Sequence, residues 1–296
     1  MNVLSLFDGM SCGRIALDQL GIKVDNYFAS EIDKHAIKVT QHNFPNTKQL
    51  GDVTKISYKE GVSYTENGIF EIGEVDLLIG GSPCQGFSFA GKQLNFEDER
   101  SKLFFEFVRL LKETKPKYFL LENVKMKKEH EQVITEHLEV EPILINSALL
   151  TAHNRPRLYW TNIPNIGQPN DKGITLEQIR DLQIENYEYI LEEKTVNREY
   201  KKNYLQYDIN GKGHGSQDQR AYYLDNKHGC LDTGASGKAK ILETDGRVRK
   251  ITRNEAERLQ GVPDNYTNVV SKSQALKMLG NGWTVDVIAH IFNGLK

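Results

Sequence analysis

Cysteine is scarce: three among 296 residues, at positions 12, 84 and 230. Spaced that widely, they build neither a disulfide framework nor a cysteine metal cluster, and they suit a reducing cytoplasm. Long apolar runs are missing as well. No stretch approaches the roughly 18 to 20 residues that a membrane span needs. Residues 2–7 form a short strand-like run without the basic flank of a signal peptide. Internal repeats and low-complexity tracts are absent, and so is strong charge of one sign, the net being −2. With 39% hydrophobic and 26% charged residues, the chain reads as a soluble globular protein with no membrane partner and no metal. Its length accommodates one large core and a smaller module.

The small net charge conceals an asymmetry. Residues 171–193 hold seven acids against two bases, whereas residues 194–253 hold thirteen Lys and Arg against seven Asp and Glu. Five tyrosines and seven glycines share that basic stretch. Such a segment suits phosphate binding by one surface, and equally a solvated, loop-rich insertion.

Apolar runs at 3–7, 26–30, 48–50, 75–79, 118–121, 143–149 and 157–162 predict strands, with helical patterns between them. Leu103, Phe104, Phe107, Val108, Leu110 and Leu111 repeat at helical spacing, and Pro116 follows that helix. Strand alternating with helix predicts an α/β fold built on a doubly wound, mostly parallel sheet. From 164 to about 250 the rhythm is lost in a polar, Gly-rich stretch. Helical patterns return at 252–259, 273–279 and 285–292. The expectation is a large α/β domain, a small irregular module, and a C-terminal segment that folds back.

Chemistry concentrates where two apolar runs end. The run 75–79 is followed by GGSPCQGFSFAG (80–91), and the run 118–121 by Glu122-Asn123-Val124. Glycines that allow close approach, then a proline that fixes φ beside Cys84, present one thiol in the open. A thiol and a carboxylate at two strand ends suit addition to an electron-poor ring, one attacking carbon while the other protonates the ring. Cys12 and Cys230 lack such a context and read as small buried hydrophobes.

In a doubly wound sheet a ligand sits outside the carboxyl ends of the strands. The first end reads FDGMSCG (7–13), a tight glycine turn that serves a cofactor or simply packing. Glu31 follows Gly9 by 22 residues, near the spacing at which an acid grips a ribose diol, although a helix-capping carboxylate also fits. Asp52 ends the third strand and is able to accept from an adenine amino group. Two acids without a phosphate-cradling glycine loop favour a nucleoside with a cationic tail over a dinucleotide. S-adenosylmethionine fits, its sulfonium favoured by an aromatic face such as Phe7.

In order, FDGMSCG, Ser30-Glu31, Gly51-Asp52-Val53, GGSPCQGFSFAG, Glu122-Asn123-Val124, His153 to Arg157, RKITRNEAERLQGVP (249–263) and LGNGWTV (279–285) resemble the DNA cytosine-5 methyltransferase family. The resemblance spans the chain except residues 164–247, where that family keeps its variable target-recognition region. SLFDG, KLFFEFVRLL (102–111) and GNGWTVDVIAHIF (280–292) look most like the catalytic domain of the animal de novo enzymes. The lack of a separate chromatin-reading domain suits a microbial or viral member.

The resemblance implies a Rossmann-like methyltransferase fold, with residues 1–163 and about 272–296 as the catalytic domain. About 164–271 would be the small domain. It implies that Cys84 adds to carbon 6 of a cytosine flipped out of double-stranded DNA, the thiol made acidic by helix-start amides. Glu122 would hydrogen-bond the ring, in surroundings that favour its protonated form. Arg155 and Arg157 would hold the base, the thiol loop and the glutamate, His153 standing where the family more often has glutamine. S-adenosylmethionine would lie among Phe7, Asp8, Gly9, Ser11, Gly13, Glu31, Ile32, Asp52, Val53, Pro83, Leu103, Asn281 and Trp283. For Trp283 the alternative is a core aromatic. Residues 85–101 resemble a loop that closes over DNA, and residues 258–263 a segment that organises the recognition module. Gln217, Gln219, Arg220, Lys238 and Lys240 are candidate base readers. A cognate restriction endonuclease is compatible with this reading. A tRNA methyltransferase of the same fold would carry a Cys-Phe-Thr signature, which is absent. An inactive DNA-binding regulator would have lost the nucleophile or the acids that remain here.

Overall fold

The computed structural model describes residues 1–82, 99–182, 187–191, 198–207, 219–231 and 239–296. The chain divides into two compact units, one of residues 1–145, 156–168 and 287–296, the other of residues 146–155 and 169–286.

The first unit is built on a sheet of seven strands among the described residues. The strands are β1 (Asn2–Leu6), β2 (Asn26–Ser30), β3 (Lys48–Gln49), β7 (Leu77–Gly80), β8 (Tyr118–Val124), β9 (Ile143–Asn146) and β10 (Pro156–Thr161), in the order β3-β2-β1-β7-β8-β10-β9. The five strands from β3 to β8 run parallel, and β10 returns antiparallel to β8. Helices α1 (Cys12–Gln19), α2 (Lys34–Asn43), α3 (Glu99–Thr114) and α4 (Lys128–Leu138) make the connections. Strands that pack on both faces read as continuous apolar runs, and β7 is buried at all four positions. The core holds Leu4, Leu6, Phe28, Leu78, Phe104, Phe107, Leu121 and Trp160. Phe107 packs so closely on Gly80 that a Cβ there would lie 2.9 Å from its ring. That glycine is a packing requirement of α3 on the sheet. Among the described residues, no helix is long and apolar enough to cross a membrane.

Three differences from the sequence reading have physical causes. The first strand stops at Leu6 because Phe7 turns to φ 55°. β8 continues through Val124 because β10 pairs alongside it, Arg157 opposite Val124 and Tyr159 opposite Glu122. Glu122 is thus held inside a ladder rather than on a loop. The run 143–149 breaks after Asn146, whose Oδ1 accepts from Ala148 N and starts a 3₁₀ turn.

A three-stranded antiparallel sheet was not legible: β4 (Ser57–Lys59), β5 (Val62–Thr65) and β6 (Gly68–Glu71). Its strands are three or four residues long and half polar, below what alternation can signal.

The second unit is a sheet domain, which corrects the expectation of an irregular module. Its strands β11 (Tyr189–Leu191), β12 (Arg198–Tyr200), β13 (Tyr204–Tyr207), β14 (Arg220–Tyr223), β15 (Lys240–Leu242) and β16 (Val248–Lys250) lie in the order β11-β16-β15-β14-β13-β12. All pairs are antiparallel except β14 with β15. The pattern was hidden because ion pairs fill part of the interior. Arg249 is fully buried, its Nη1 and Nη2 each 2.7 Å from a Glu255 oxygen and its Nε on Glu243. Arg180 adds a 2.6 Å bond to Glu243, and Glu255 also accepts from Thr252 N at the start of helix Arg253–Leu259.

Breaking a buried pair strands the remaining charge. Arg249→Leu, leaving the buried Glu255 carboxylate without its cation and Glu243 with Arg180 alone, is expected to lower unfolding stability by about 3–5 kcal/mol, read from urea denaturation of the full chain. A loss below about 1 kcal/mol would show that the network contributes no more than a surface pair.

Candidate active site

The strand order reverses at β1. The chain runs outward through β2 and β3 on one side, then returns to β7 and β8 on the other. Such a switch point opens a crevice at the carboxyl ends of the strands. The registers bring these ends level, Leu6 beside both Ser30 and Gly80, and Gly80 beside Leu121.

The first end is a left-handed loop, with Phe7 at φ 55°, Gly9 at 60° and Ser11 at 62°. Side chains other than glycine rarely sit there, at an energy of order 1–3 kcal/mol each, so the surroundings must hold the loop. Asp8 does so. Its Oδ1 accepts from Ser5 Oγ at 2.6 Å and Tyr27 Oη at 2.8 Å, and its Oδ2 accepts from Ser11 Oγ. Ser11 Oγ also lies 2.9 Å from Thr40 Oγ1. The carboxylate is enclosed, and burial pushes Asp8 up to about 6, against the lowering effect of the three hydroxyls and with a small upward push from Glu31. Gly13 is buried in the first turn of α1.

At the second end, Glu31 accepts from Gly9 N at 2.8 Å through Oε2, and from Ile32 N and Asp33 N at 2.7 and 2.8 Å through Oε1. It therefore links the β1 loop to the β2 loop, while the N-cap of α2 is Asp33. Ile32 beside it is 75% exposed, a large apolar face on the same edge as the acids. At the third end, Asp52 Oδ1 accepts from Thr54 N and Thr54 Oγ1, both at 2.9 Å. Val53 is buried, and its carbonyl accepts from Arg109 Nη2 at 3.3 Å. Three acids with apolar Phe7 and Ile32 fit a nucleoside carrying a cationic tail. They would accept from its hydroxyls, amine and ammonium.

On the other side of the switch point, β7 leads to Ser82, which Asn123 Nδ2 contacts at 3.4 Å (Oγ) and 3.5 Å (carbonyl). Glu122 is 9% exposed, and Arg157 Nε lies 3.0 Å from its Oε1. The pair follows from register. Tyr159 opposes Glu122, so Arg157, two residues away, is the diagonal neighbour on the same face. Leu103 and Phe7 pack half-buried against the core at this end. Pro83 and Cys84 lie outside the described residues, as do residues 85–98 of the loop expected over 85–101. Residues 99–101 of that expectation belong to α3, which begins at Glu99.

Within the second unit, Arg155 is buried and donates to Gly282 O at 2.9 Å, Leu231 O at 3.3 Å and Cys230 Sγ at 3.4 Å. It shapes the segment carrying Asn281 and Trp283. Gln260 holds the same segment, donating to Leu279 O at 2.5 Å and accepting from Thr284 Oγ1 at 2.7 Å. Asn281 is exposed, and Trp283 is half-buried rather than a core aromatic. His153 is fully buried, its Nε2 accepting from Leu231 N at 2.9 Å. Cys12 is buried as expected, but Cys230 is exposed, its sulfur 3.4 Å from Arg155 Nη1. Of the candidate base readers, Arg220 lies over the Tyr204 ring at 4.9 Å and donates to Gln206 Oε1 at 3.4 Å. Lys240 is 4% exposed, which removes it from any DNA-facing surface. Gln217 and Lys238 lie outside the described residues.

Ser5, Tyr27 and Thr40, the partners that hold the Asp8 loop, were missed. Each is an ordinary strand or helix residue in one dimension, and no spacing signal marks it.

The folded chain holds the Asp8 proton more tightly than the unfolded chain does, so this group's stability contribution is full below about pH 4 and is lost as pH rises through 6. Asp8→Asn removes the titration. Its stability relative to the native protein is expected to rise between pH 4 and 6.5 by on the order of 1–3 kcal/mol, read from urea midpoints at the two pH values. A pH-independent difference would contradict the assignment.

Comparison with known proteins joins the two halves of the edge. The family model described as C-5 cytosine-specific DNA methylase matches residues 1–165 and 161–296. The Type II methyltransferase M1.ScrFI of Lactococcus lactis subsp. cremoris is 34% identical over 97% of this chain and 75% of its own. M.NlaX, a Type II methyltransferase of Neisseria lactamica, is 32% identical over 99% of this chain and 96% of its own. The solved S. pombe Dnmt2 methyltransferase, at 16% identity, shares the fold with a TM-score of 0.70 over 99% of each chain. Acids at one end of the switch point, a carboxylate on the strand beside the one leading to Ser82 at the other, and a family match along the full chain have one explanation. The protein belongs to the C-5 cytosine-specific DNA methylases, which transfer a methyl group from S-adenosylmethionine to cytosine in DNA.

Proposed function

We propose that the protein methylates carbon 5 of a cytosine flipped out of double-stranded DNA, through a transient covalent bond between Cys84 and carbon 6. The observation that carries this reading is Glu122. Its carboxylate is held by Arg157 at 3.0 Å on the strand next to Ser82, two residues before Cys84.

Carbon 6 of cytosine is a weak electrophile, so a thiolate must attack while the ring gains a proton. The Cys84 thiolate forms the carbon–sulfur bond as Glu122 delivers a proton to ring nitrogen 3, which leaves carbon 5 rich in electrons. Asp8, Glu31 and Asp52 would hold S-adenosylmethionine, which would supply the methyl group as an electrophile. Carbon 5 takes that methyl, then yields its own proton to a base. The carbon–sulfur bond breaks, and nitrogen 3 returns its proton to Glu122, so thiolate and carboxyl are restored. Arg157 keeps Glu122 aimed throughout, and Arg155 braces the 279–284 segment carrying Asn281 and Trp283. Extracting the base from the duplex costs a few kcal/mol, which the basic stretch 194–253 is suited to offset through phosphate contacts. The Type II methyltransferases among the relatives support a modification enzyme whose counterpart is a restriction endonuclease reading the same short DNA sequence.

Incubation with S-adenosylmethionine and unmethylated DNA of mixed sequence, followed by bisulfite sequencing, is expected to show protected cytosines in one short context. Cys84→Ser abolishes protection while cofactor affinity stays within about twofold of the native protein. Glu31→Ala weakens cofactor binding roughly tenfold or more. Methylation of RNA but not DNA would overturn the acceptor, and unchanged cofactor affinity in Glu31→Ala would overturn the ribose role.

A further inference from the structure

The β4–β6 sheet is absent from the strand–helix alternation, yet it is fastened to the cofactor edge. The tip of its β5–β6 hairpin, Glu66-Asn67, makes three bonds there. Glu66 Oε1 accepts from Asp52 N at 3.0 Å, Lys55 Nζ donates to Glu66 Oε2 at 2.6 Å, and Asn67 Nδ2 donates to Gln49 O at 3.1 Å. The approach is close. Gly51 sits at φ 84°, and a Cβ on it would lie 2.7 Å from Glu66 Oε1. The far side of the same turn is held independently, Gly51 O by Ser30 Oγ at 2.7 Å and Val53 O by Arg109 Nη2 at 3.3 Å. Arg109 is tied at 2.8 Å to Glu113, whose other oxygen accepts from Tyr58 N of β4 at 3.2 Å. The turn bearing Asp52 is therefore clamped between α3 and the hairpin.

We propose that Glu66 is a positioning residue of the cofactor site: the hairpin tip fixes the Gly51–Asp52 turn so that the Asp52 carboxylate is offered to the adenine ring. This rests on the reading of Asp52 as the adenine acceptor. Asp52 has two jobs in a short turn, capping Thr54 and facing a ligand. A peptide N–H bonded to a carboxylate, itself neutralised by Lys55, prevents the turn from rotating between them. The hairpin sets cofactor affinity rather than the rate of methyl transfer.

The test is calorimetric titration of the full chain with S-adenosylhomocysteine, beside kcat at saturating S-adenosylmethionine. Glu66→Ala is expected to raise Kd roughly tenfold with kcat within about twofold. Glu66→Gln, which keeps an oxygen for Asp52 N–H, recovers most of the affinity. Lys55→Met loosens Glu66 without removing it and raises Kd by roughly threefold, which decides the matter if Glu66→Ala does not fold. Native affinity in Glu66→Ala or Lys55→Met, with Asp52→Ala weakened, overturns the role of Glu66 alone. Native affinity in Asp52→Ala overturns the adenine reading itself and this proposal with it.

Discussion

The parallel pairing of β1 with β2 on one side and β7 on the other is the constraint on which the remaining geometry depends. Each parallel neighbour ends on the same edge, so one register brings Leu6, Ser30, Gly80 and Leu121 level. The residues that follow them, Asp8, Glu31, Ser82 and Glu122, then lie along one edge of the sheet. A slip of one residue in β7 would exchange the side chains of its two buried faces and carry Ser82 away from Asn123. The packing of Phe107 on Gly80 resists such a slip, since any side chain at the slipped position would strike the ring. Catalytic placement is thus maintained by the hydrophobic core beneath it.

The two ends of the edge solve opposite electrostatic problems. Around Asp8, hydroxyls from Ser5, Tyr27 and Ser11 stabilise a left-handed loop through a carboxylate whose charge burial disfavours. At Glu122, a cation on the neighbouring strand supplies the orientation. The second unit carries charge into its interior as well, where Arg249 and its two glutamates are buried beside the apolar cluster of Leu205, Ala221 and Val248. Buried ion pairs add specificity more readily than stability. A domain held this way presents loops whose sequence can vary without dissolving a core.

The parts legible in the sequence were those with short-range signals. Continuous apolar runs announced the buried parallel strands, and glycines with acids after them marked the ligand edge. The helical pattern at 252–259 announced the helix Arg253–Leu259. What escaped were relations between distant residues. Tyr27 reaches Asp8 across 19 positions, Thr40 reaches Ser11 across 29, and Glu66 reaches Asp52 across 14, none with a periodicity to betray it. The six-stranded sheet escaped because its interior is partly ionic, so burial and hydrophobicity part company at Arg249 and Lys240.

The central claim is that the strand end carrying Cys84, beside Glu122, forms a bond to carbon 6 of cytosine. Duplex DNA containing 5-fluorocytosine tests it most directly, because a fluorine on carbon 5 cannot leave as a proton does and the sulfur stays attached after methyl transfer. Incubation with S-adenosylmethionine, proteolysis and mass spectrometry should find the methylated fluorocytosine on the peptide containing Cys84. Free DNA, or attachment to Cys12 or Cys230, under conditions where unsubstituted DNA is methylated, would contradict the account.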